Sequence, residues 1–368
     1  MTLALAVVFG GYAVVMLAVA GRLAVQRRRP AAPDEALPTV AVVVAARNEE
    51  ARIGRCLDAL RALDYPAGRL EIVVADDHST DGTAKVVYQR AGEDSGHPVR
   101  YVRVPAPEGP LRGKAQALHT AIETVSAEVV LITDADCAPV ASWARTLAAA
   151  FADDAVGLAC GLARVEPRPG RAFDAVQALD WELLLGTVAA AASVGHPATG
   201  MGNNMAVRRA AYEAVGGYPA LPFSVTEDFI LVQALAGAGW RVQFDVEAPS
   251  VVWTLPVNGV AEAYGQRRRW ARGGLSASRW VVPLYGVLFG VHALLVAGLA
   301  LAPAAGLAAL ATKAVADGAV LASVRRRVGG RVRIGALLGT VAFVTGYLVT
   351  LPFALVLRPR IGWKGRSH

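Results

Sequence analysis

Cysteine is scarce in this chain, whose 368 residues include three cysteines, Cys56, Cys137 and Cys160, at wide and irregular spacing. Domains that depend on disulfides carry many more, so the composition excludes a disulfide framework and favours a reducing compartment. The six histidines are also dispersed, and no Cys or His pair has the spacing of a zinc site. Neither a disulfide scaffold nor a zinc motif organises this chain.

Two glycine-rich phosphate motifs are absent as well. The first β-type run, residues 39–45, is not followed by G-x-G-x-x-G, which argues against a dinucleotide-dependent oxidoreductase. No G-x-x-x-x-G-K-[ST] occurs, so the chain is not a P-loop protein. The net charge of +7 is no nucleic-acid signal, because much of the basic charge flanks apolar segments. We expect no nucleic-acid partner.

Apolar residues are abundant instead, at 54% of the chain. Four runs are long enough to span a bilayer, namely residues 3–25, 281–302, 304–323 and 334–357. Three arginines at positions 27–29 follow the first run, and this charge order favours an uncleaved anchor over a signal peptide. The positive-inside rule then places residue 30 onward in the cytoplasm.

The C-terminal runs leave the number of membrane crossings open. Four spans in total would put the basic tail outside, against the positive-inside rule, so region 281–357 is predicted to contain two or three spans. The third run carries Lys313 and Asp317, four residues apart on one helical face. We expect them to form an ion pair that faces other helices.

Between residues 39 and 258, β-branched runs alternate with helical patterns. The runs cover residues 39–45, 70–75, 99–104, 129–134, 156–165 and 240–246. Strands that alternate with helices in this way predict an α/β domain with a mostly parallel, doubly wound sheet. Ligands of such sheets bind outside the carboxyl ends of the strands.

Two carboxylates stand at one predicted strand end. Asp134 and Asp136 follow the apolar run that begins at Val129, and residues i and i+2 of an extended chain point the same way. Two converging carboxylates suit Mg²⁺ or Mn²⁺, which commonly binds through one or two carboxylates plus substrate phosphates. This stretch alone leaves a metal–diphosphate site and a solvated turn equally open.

A second acidic cluster, Asp76, Asp77 and Asp81, ends the run before it. We expect Asp77 to contact a ligand, whereas Asp81 either does the same or caps the turn with Gly82. Further on, Thr226-Glu227-Asp228 precedes an apolar helical stretch. Thr226 could cap that helix, or one of the two acidic residues could act as a general base.

The stretch Gly200-Met201-Gly202-Asn203-Asn204 is either a backbone approach to a ligand or an ordinary turn into a strand. Downstream, Gln266, Arg269 and Trp270 share one helical face by their i, i+3 and i+4 spacing. Arg binds phosphate and Trp stacks on sugars, while the alternative is a basic helix on anionic lipid. Both can hold, since we expect Arg267, Arg268 and Arg272 to form a second face of the helix toward lipid.

Four of these motifs occur in the order and spacing of a known family. They are Asp76-Asp77-x-Ser79-x-Asp81-Gly82, the D-x-D of Asp134 and Asp136, Thr226-Glu227-Asp228, and the Q-x-x-R-W of Gln266, Arg269 and Trp270. Over residues 38–273 the chain resembles a membrane-bound family 2 glycosyltransferase with the GT-A fold. Each motif alone is weak, but the ordered set beside apolar segments is specific.

The resemblance implies roles for the acidic residues at the predicted strand ends. Asp77, with Asp76, would contact the uridine of a nucleotide-sugar, and Lys114 would lie near the nucleotide. Asp134 and Asp136 would hold the diphosphate through a divalent cation, Mg²⁺ or Mn²⁺.

The later motifs would complete the reaction. Asp228 would be the base that deprotonates the acceptor hydroxyl, while Gln266, Arg269 and Trp270 would bind the diphosphate and close over the acceptor site. One base suffices for such an inverting transfer, because the leaving diphosphate needs charge neutralisation rather than a proton.

The resemblance also implies a domain plan. Residues 1–29 would form a transmembrane anchor, 30–38 a linker, 39–258 the cytoplasmic GT-A domain and 259–280 an amphipathic interface helix. Residues 281–357 would form the C-terminal membrane region and 358–368 a basic tail. We expect a multi-pass protein of a bacterial-type inner membrane, and its oligomeric state stays open.

Two functions fit this plan. The first is transfer of one sugar, expected from a UDP-linked donor, to a membrane-embedded lipid. The alternative is a processive polysaccharide synthase that makes an N-acetylglucosaminyl or hexosyl polymer. A polymer needs a polar channel, because unpaired buried hydroxyls are costly, and so few spans make a poor channel in one chain. The first function is therefore preferred.

Overall fold

The structure is a computed structural model that describes residues 1–26, 32–93, 97–107, 109, 111–277, 281–357, 362–363 and 366–367. The arginines at 27–29 and most of the basic tail lie outside the described residues. The chain divides into two compact units. One, called here the sheet unit, comprises Arg27–Arg164 and Ala191–Leu255, and the other, the helical unit, comprises Met1–Gln26, Val165–Ala190 and Pro256–His368.

The sheet unit is built on a seven-stranded sheet. Its strands are β1 Val40–Ala46, β2 Leu70–Asp76, β3 Val99–Arg103, β4 Val129–Asp134, β6 Val156–Cys160, β8 Met205–Arg208 and β9 Arg241–Phe244. They lie in the order β3-β2-β1-β4-β8-β6-β9, and β8 alone runs antiparallel to its neighbours. Runs such as V-A-V-V-V-A-A in β1 are buried, as expected for parallel strands covered on both faces. The predicted mostly parallel α/β sheet is confirmed.

A small second sheet adds β5 Cys137–Pro139, β7 Ala163–Val165 and β10 Val252–Thr254, in the order β5-β10-β7. Helices are numbered along the whole chain. Those of the sheet unit are α2 Ile53–Arg61, α3 Thr83–Ala91, α4 Gly113–Glu123, α5 Trp143–Ala148, α7 Arg209–Ala214, α8 Gly217–Ala220 and α9 Glu227–Gly237. The apolar side chains of α2 and α5 join β1, β2 and β4 in one core.

One predicted strand is wrong. Residues 156–165 form two strands, β6 and β7, which belong to different sheets. The chain changes sheet at Gly161, where an added Cβ would lie 2.3 Å from the Ser250 carbonyl oxygen and 2.7 Å from the Asn204 Oδ1 atom. The backbone therefore passes too close to its neighbours for any side chain, a condition that the apolar run did not reveal.

The helical unit contains six helices: α1 Thr2–Val25, α6 Ala172–Ala192, α10 Val260–Ala277, α11 Val281–Leu301, α12 Pro303–Val328 and α13 Ile334–Leu357. The last two residues of α6 lie past the unit boundary at Ala190. The two-residue strands β11 Gly362–Trp363 and β12 Arg366–Ser367 also belong to it. By length and composition, five described helices could cross a membrane: the four predicted ones and α6. The apolar window of α6 is 72% buried within the chain, against 22% for α1, so α6 is largely covered by protein.

Polar contacts connect the helices of this unit. The predicted ion pair forms, with Lys313 Nζ 2.8 Å from Asp317 Oδ2. Both groups also contact Tyr12 of α1, since Lys313 donates to the Tyr12 hydroxyl at 2.9 Å and that hydroxyl donates to Asp317 at 2.5 Å. A buried charge in an apolar bundle is stable only when paired, so this triad ties α1 to α12.

The expected lipid-facing role of Arg267 is wrong. Its side chain is 5% exposed and pairs with Asp180 of α6. The guanidinium also lies 4.1 Å from the ring centroid of Trp270. Periodicity placed Arg267 on the outer face of α10, but it could not show that α6 carries a carboxylate to meet it.

Candidate functional site

The site of the sheet unit lies at the carboxyl ends of three parallel strands. Strand β1 pairs Ala46 with Asp76 of β2 and Ala45 with Asp134 of β4. The two acidic strand ends are therefore separated by one strand, or roughly 10 Å at the usual strand spacing. This is the edge that the sequence predicted for a ligand.

The loops after β1 and β2 are joined by hydrogen bonds. Asn48 accepts from the Thr80 N–H at 2.8 Å through Oδ1, and its own N–H donates to Ser79 Oγ at 2.9 Å. Asn48 and His78 have φ angles of 53° and 59°, the two positive values among the described non-glycine residues. Such strained residues persist where surrounding contacts hold them, commonly at ligand sites.

Asp76 and Asp77 have different surroundings. Both oxygens of Asp76 are already hydrogen-bonded, by the Ser79 N–H at 2.9 Å and the Tyr101 hydroxyl at 2.7 Å. Asp77 is 5% exposed, with Arg47 Nη1 3.6 Å from its Oδ2 and His78 Nδ1 3.3 Å from its Oδ1. Asp76 thus holds the loop, whereas Asp77 lies beside the Arg47 guanidinium and the His78 imidazole.

Asp81 caps the turn. Its Oδ1 accepts from the Thr83 N–H at 3.0 Å and from the Thr83 hydroxyl, and its Oδ2 accepts from the Glu50 N–H at 3.1 Å. These bonds begin α3 and attach the loop after β1. Of the two roles that the sequence left open for Asp81, the geometry supports capping.

The antiparallel direction of β8 brings the glycine-rich stretch to the same edge. Because β8 runs opposite to β4, the residues before Met205 lie beside the end of β4. The Thr133 hydroxyl donates to the Asn203 carbonyl at 2.9 Å. At Gly202 an added Cβ would lie within 3.2 Å of Lys114 Nζ and of both Glu227 and Asp228 oxygens. The stretch is a turn that leads into β8, one of the two alternatives, and its backbone packs closely against Lys114 and the carboxylates of α9.

Lys114 lies at the centre of the site. Its Nζ is 2.7 Å from Asp134 Oδ1 and 2.8 Å from Glu227 Oε1, and it donates to the Gly202 carbonyl at 3.2 Å. Burial lowers the pKa of this ammonium, but Asp134, Glu227 and Asp228 outweigh burial and raise the pKa well above its ordinary value. Lys114 therefore stays charged and joins the D-x-D strand to α9.

Asp228 lies in the first turn of α9. Its Oδ2 accepts from the Gly202 N–H and its Oδ1 from its neighbour Phe229 N–H, both at 2.8 Å. Burial and then Glu227 raise the Asp228 pKa to about 6, while Lys114 and the two N–H groups act in the opposite direction. A carboxylate with a pKa near 6 is still ionised at pH 7 and is a stronger base than an ordinary Asp.

Thr226 occupies the N-cap position of α9, yet its side chain makes no capping bond. Its hydroxyl lies 3.1 Å from Ser224 Oγ instead. The prediction that the Thr226 side chain caps α9 is therefore wrong. Glu227 and Asp228 of the first turn are held instead by Lys114 and by the Gly202 N–H.

The D-x-D pair has the donor chemistry of a magnesium or manganese site. Asp134 and Asp136 are both partly exposed, while Ala135 and Cys137 beside them are buried. Among the described residues no group of three or more His, Cys, Asp or Glu side chains could hold a metal. Two partly exposed carboxylates suit a cation that takes its remaining ligands from phosphate and water.

A small cavity of about 30 Å³ adjoins Glu227, and Tyr218 and Phe223 are among its lining residues. The Tyr218 side chain is 3% exposed, and its hydroxyl has no hydrogen-bond partner within the described residues. Burial raises the pKa of this phenol well above its ordinary value, and Glu227 and Asp228 add to the increase. No sequence pattern singles out Tyr218, because only folding brings it beside Glu227.

Gln266, Arg269 and Trp270 belong to the helical unit, where they lie half-buried on α10. Trp270 packs edge-on against Trp181 of α6, with ring centroids 5.2 Å apart. Gln266 accepts a hydrogen bond from Arg267 at 3.4 Å. Trp181 thus packs against this motif and Asp180 pairs with the neighbouring Arg267, and no sequence pattern indicates either contact.

A family profile and one relative define the class of protein. The chain belongs to the family described as "Glycosyltransferase like family 2", whose profile matches residues 38–273. It is 30% identical over 300 residues to a beta-monoglucosyldiacylglycerol synthase of Synechocystis sp., covering 74% of this chain and 59% of the relative.

Two further similarities are more distant. A poly-beta-1,6-N-acetyl-D-glucosamine synthase of Staphylococcus aureus is 25% identical over 249 residues, covering 67% of this chain and 57% of the relative. The chain spans about half to three fifths of the length of the curated relatives it matches. A mannosyltransferase of Pyrobaculum calidifontis, solved with GDP-mannose and Mn²⁺, superposes with a TM-score of 0.59 at 24% identity, over 97% of this chain and 99% of that one. This likeness confirms the predicted GT-A fold.

Proposed function

We propose that this protein is an inverting glycosyltransferase that moves one sugar from a nucleotide-sugar, expected to be UDP-linked, to a membrane-embedded lipid. The observation that carries the proposal is the convergence of Asp228, Lys114 and Asp134 at the carboxyl edge of a GT-A sheet. The similarity to a glucosyldiacylglycerol synthase supports a lipid acceptor.

The proposed reaction is a single displacement. The acceptor oxygen forms a bond to the anomeric carbon while the bond from that carbon to the diphosphate oxygen breaks. Asp228 takes the acceptor proton, and its raised pKa suits that task. The nucleoside diphosphate leaves as an anion, so the site must neutralise charge rather than supply a proton.

Lys114 supplies a fixed positive charge beside Asp134. Asp134 and Asp136 would hold the divalent cation that we propose as cofactor, Mg²⁺ or Mn²⁺, and it would neutralise further charge on the diphosphate. Asp77, supported by Asp76, is proposed to contact the nucleoside.

For Gln266, Arg269 and Trp270 the proposal follows the motif, namely binding of the donor diphosphate. The domain plan also remains a proposal: a multi-pass protein of a bacterial-type inner membrane with residues 39–258 on the cytoplasmic side.

Product analysis on the purified full chain tests the function. A panel of UDP- and GDP-linked sugars is supplied with diacylglycerol in nanodiscs, with MgCl₂, with MnCl₂, or with EDTA. We expect one labelled glycolipid that carries a single sugar, that forms only with added cation and that is lost in Asp228→Asn. A ladder of polymer would instead support the alternative, the polysaccharide synthase. Full activity in EDTA would overturn the assignment of Asp134 and Asp136.

A further inference from the structure

The connection between α12 and α13 carries an excess of positive charge. Five arginines lie within nine residues, namely Arg325, Arg326, Arg327, Arg331 and Arg333. Arg325 Nε pairs with Glu182 Oε2 at 2.6 Å, and Arg327 donates to the Leu23 carbonyl at 3.1 Å. The side chains of the other three are exposed and contact no carboxylate among the described residues. The fold thus uses two of these arginines and leaves the others available.

A cavity of about 170 Å³ opens beside this connection. Its polar lining comes from Arg325 and Arg333, and the rest is apolar: Pro167, Ala175, Ala178, Leu179 and Ala336. Since one water molecule takes roughly 30 Å³ of liquid, the space accommodates a phosphate group together with a short apolar portion.

The charged end of the cavity has the chemistry of a phosphate site. Arginine binds phosphate oxygens through two parallel N–H groups. Glu182, the carboxylate that contacts Arg325, is already neutralised by that contact, and Arg333 pairs with no carboxylate of the described residues. Helix α13 begins at Ile334, directly after Arg333, and Ala336 of its first turn lines the cavity. The free N–H groups of a first helical turn also favour an anion.

The position and the apolar lining indicate the source of the phosphate. The connection joins two helices that are each long and apolar enough to span a membrane, so it lies at a membrane edge if they do. A free phosphate ion would gain nothing from the alanine and leucine side chains of α6, whereas the glycerol and first methylenes of a lipid would bury against them.

We propose that this cavity binds the headgroup phosphate of an anionic membrane phospholipid, with Arg333 on the phosphate and the α6 side chains on the glycerol end. The site differs from the carboxylate cluster around Asp228, and the proposal does not depend on transferase activity.

A binding measurement tests it. The full chain, purified in a neutral detergent, is titrated with short-chain phosphatidylglycerol or phosphatidylcholine, and bound lipid is counted by native mass spectrometry. We expect one phosphatidylglycerol to be retained in preference to phosphatidylcholine. Arg333→Gln should weaken its binding roughly tenfold, because a hydrogen-bonded charge contact is lost.

The matched control is Arg326→Gln, which removes an exposed arginine of the same connection that does not line the cavity. It should change binding less than about twofold, as expected for screened surface charge. Arg333→Lys keeps the charge but loses the paired N–H groups, so it should also bind more weakly. The melting temperature of each variant in detergent alone shows whether it is folded.

Three results would overturn the proposal. One is equal weakening by Arg333→Gln and Arg326→Gln, which would mean diffuse surface charge. Another is competition by inorganic phosphate at the same concentration as the lipid, which would mean a free-phosphate site. The third is equal retention of phosphatidylglycerol and phosphatidylcholine.

Discussion

The ionised Asp228 carboxylate favours catalysis but lowers the stability of the fold at neutral pH. Its pKa of about 6 in the fold exceeds the ordinary 3.8, so the folded state binds the proton more tightly than the unfolded chain. Below about pH 4 Asp228 therefore does not change the free energy of unfolding. As the pH rises through 6, its ionisation in the fold lowers that free energy.

We predict that Asp228→Asn abolishes most turnover and yet raises the melting temperature at pH 7.5. Loss of a general base lowers the rate by roughly 10²–10⁴-fold, while removal of the buried charge stabilises by on the order of 1 kcal/mol. Initial rates and thermal unfolding measure the two effects. A variant destabilised at pH 7.5 would contradict the raised pKa, and the stability gain should vanish near pH 4.

Lys114 is predicted to set the pH dependence of the reaction. In the wild type kcat/KM should decline below about pH 6, where Asp228 becomes protonated. Lys114 lowers the Asp228 pKa, so Lys114→Met should move this decline to higher pH by about one unit or more. The readout is the pH profile of kcat/KM.

Lys85→Met is the control for that experiment, because Lys85 is exposed on α3. It should leave the profile in place. An unshifted profile in Lys114→Met would show that Lys114 has no electrostatic contact with the base.

At the scale of single elements, the change of sheet between β6 and β7 depends on Gly161. Gly161→Ala would place a methyl group 2.3 Å from the Ser250 carbonyl oxygen, so backbone must move. We predict a destabilisation of about 1–3 kcal/mol, the usual range for overpacking, measured by denaturant unfolding.

Gly54→Ala in α2 is the matched control, since its nearest contact would be Val86 at 3.7 Å. Alanine favours a helix over glycine by about 0.8–1.0 kcal/mol, so this variant should be as stable as the wild type or more so. Equal destabilisation of both variants would refute the close-approach argument.

The attachment of α10 to α6 depends on a buried ion pair. Asp180→Asn leaves Arg267 buried without its carboxylate, and loss of one partner of such a pair typically costs about 3–5 kcal/mol. We predict a large drop in melting temperature in detergent. Asp180→Leu combined with Arg267→Met should recover much of it, because the unpaired charge is gone.

Arg272→Gln on the exposed face of the same helix serves for comparison. Its melting temperature should stay within about a degree of the wild type, as surface ion contacts contribute little. A similar drop in Asp180→Asn and in Arg272→Gln would mean that the ion pair is not what holds α10.

For the whole molecule, contacts within the helical unit bear on the proposed membrane topology. Arg327 near the end of α12 contacts the Leu23 carbonyl near the end of α1, so these two helices end on the same side. The arginine-rich connection after α12 shares that side, and we propose that this side is cytoplasmic because basic loops favour the cytoplasm. If α12 crosses the membrane, the α11–α12 junction lies on the opposite side.

Cysteine labelling in cells tests this topology. The three native cysteines are buried, so Leu301→Cys and Arg331→Cys, both at exposed positions, should be the reactive sites. We predict that a membrane-impermeant maleimide labels Leu301→Cys in intact spheroplasts and Arg331→Cys only after lysis. Labelling of both before lysis would contradict the proposed topology.

The sequence alone determined the sheet and its acidic edge. β-branched runs that alternate with helical patterns fix a parallel α/β sheet, and the position of Asp77 and Asp134 after such runs fixes the edge at which they lie. Composition likewise determined four apolar helices, because a length of about 20 apolar residues is itself the requirement.

Only the tertiary structure decided how those residues are partnered. Lys114 meets Asp134 and Glu227, and Arg267 meets Asp180 eighty-seven positions earlier in the chain. Local periodicity reports which face of an element is apolar, but not which distant charge that face will meet. Three further features also depend on contacts with distant segments and could not be decided from the local sequence. They are the capping role of Asp81, the change of sheet at Gly161 and the burial of α6.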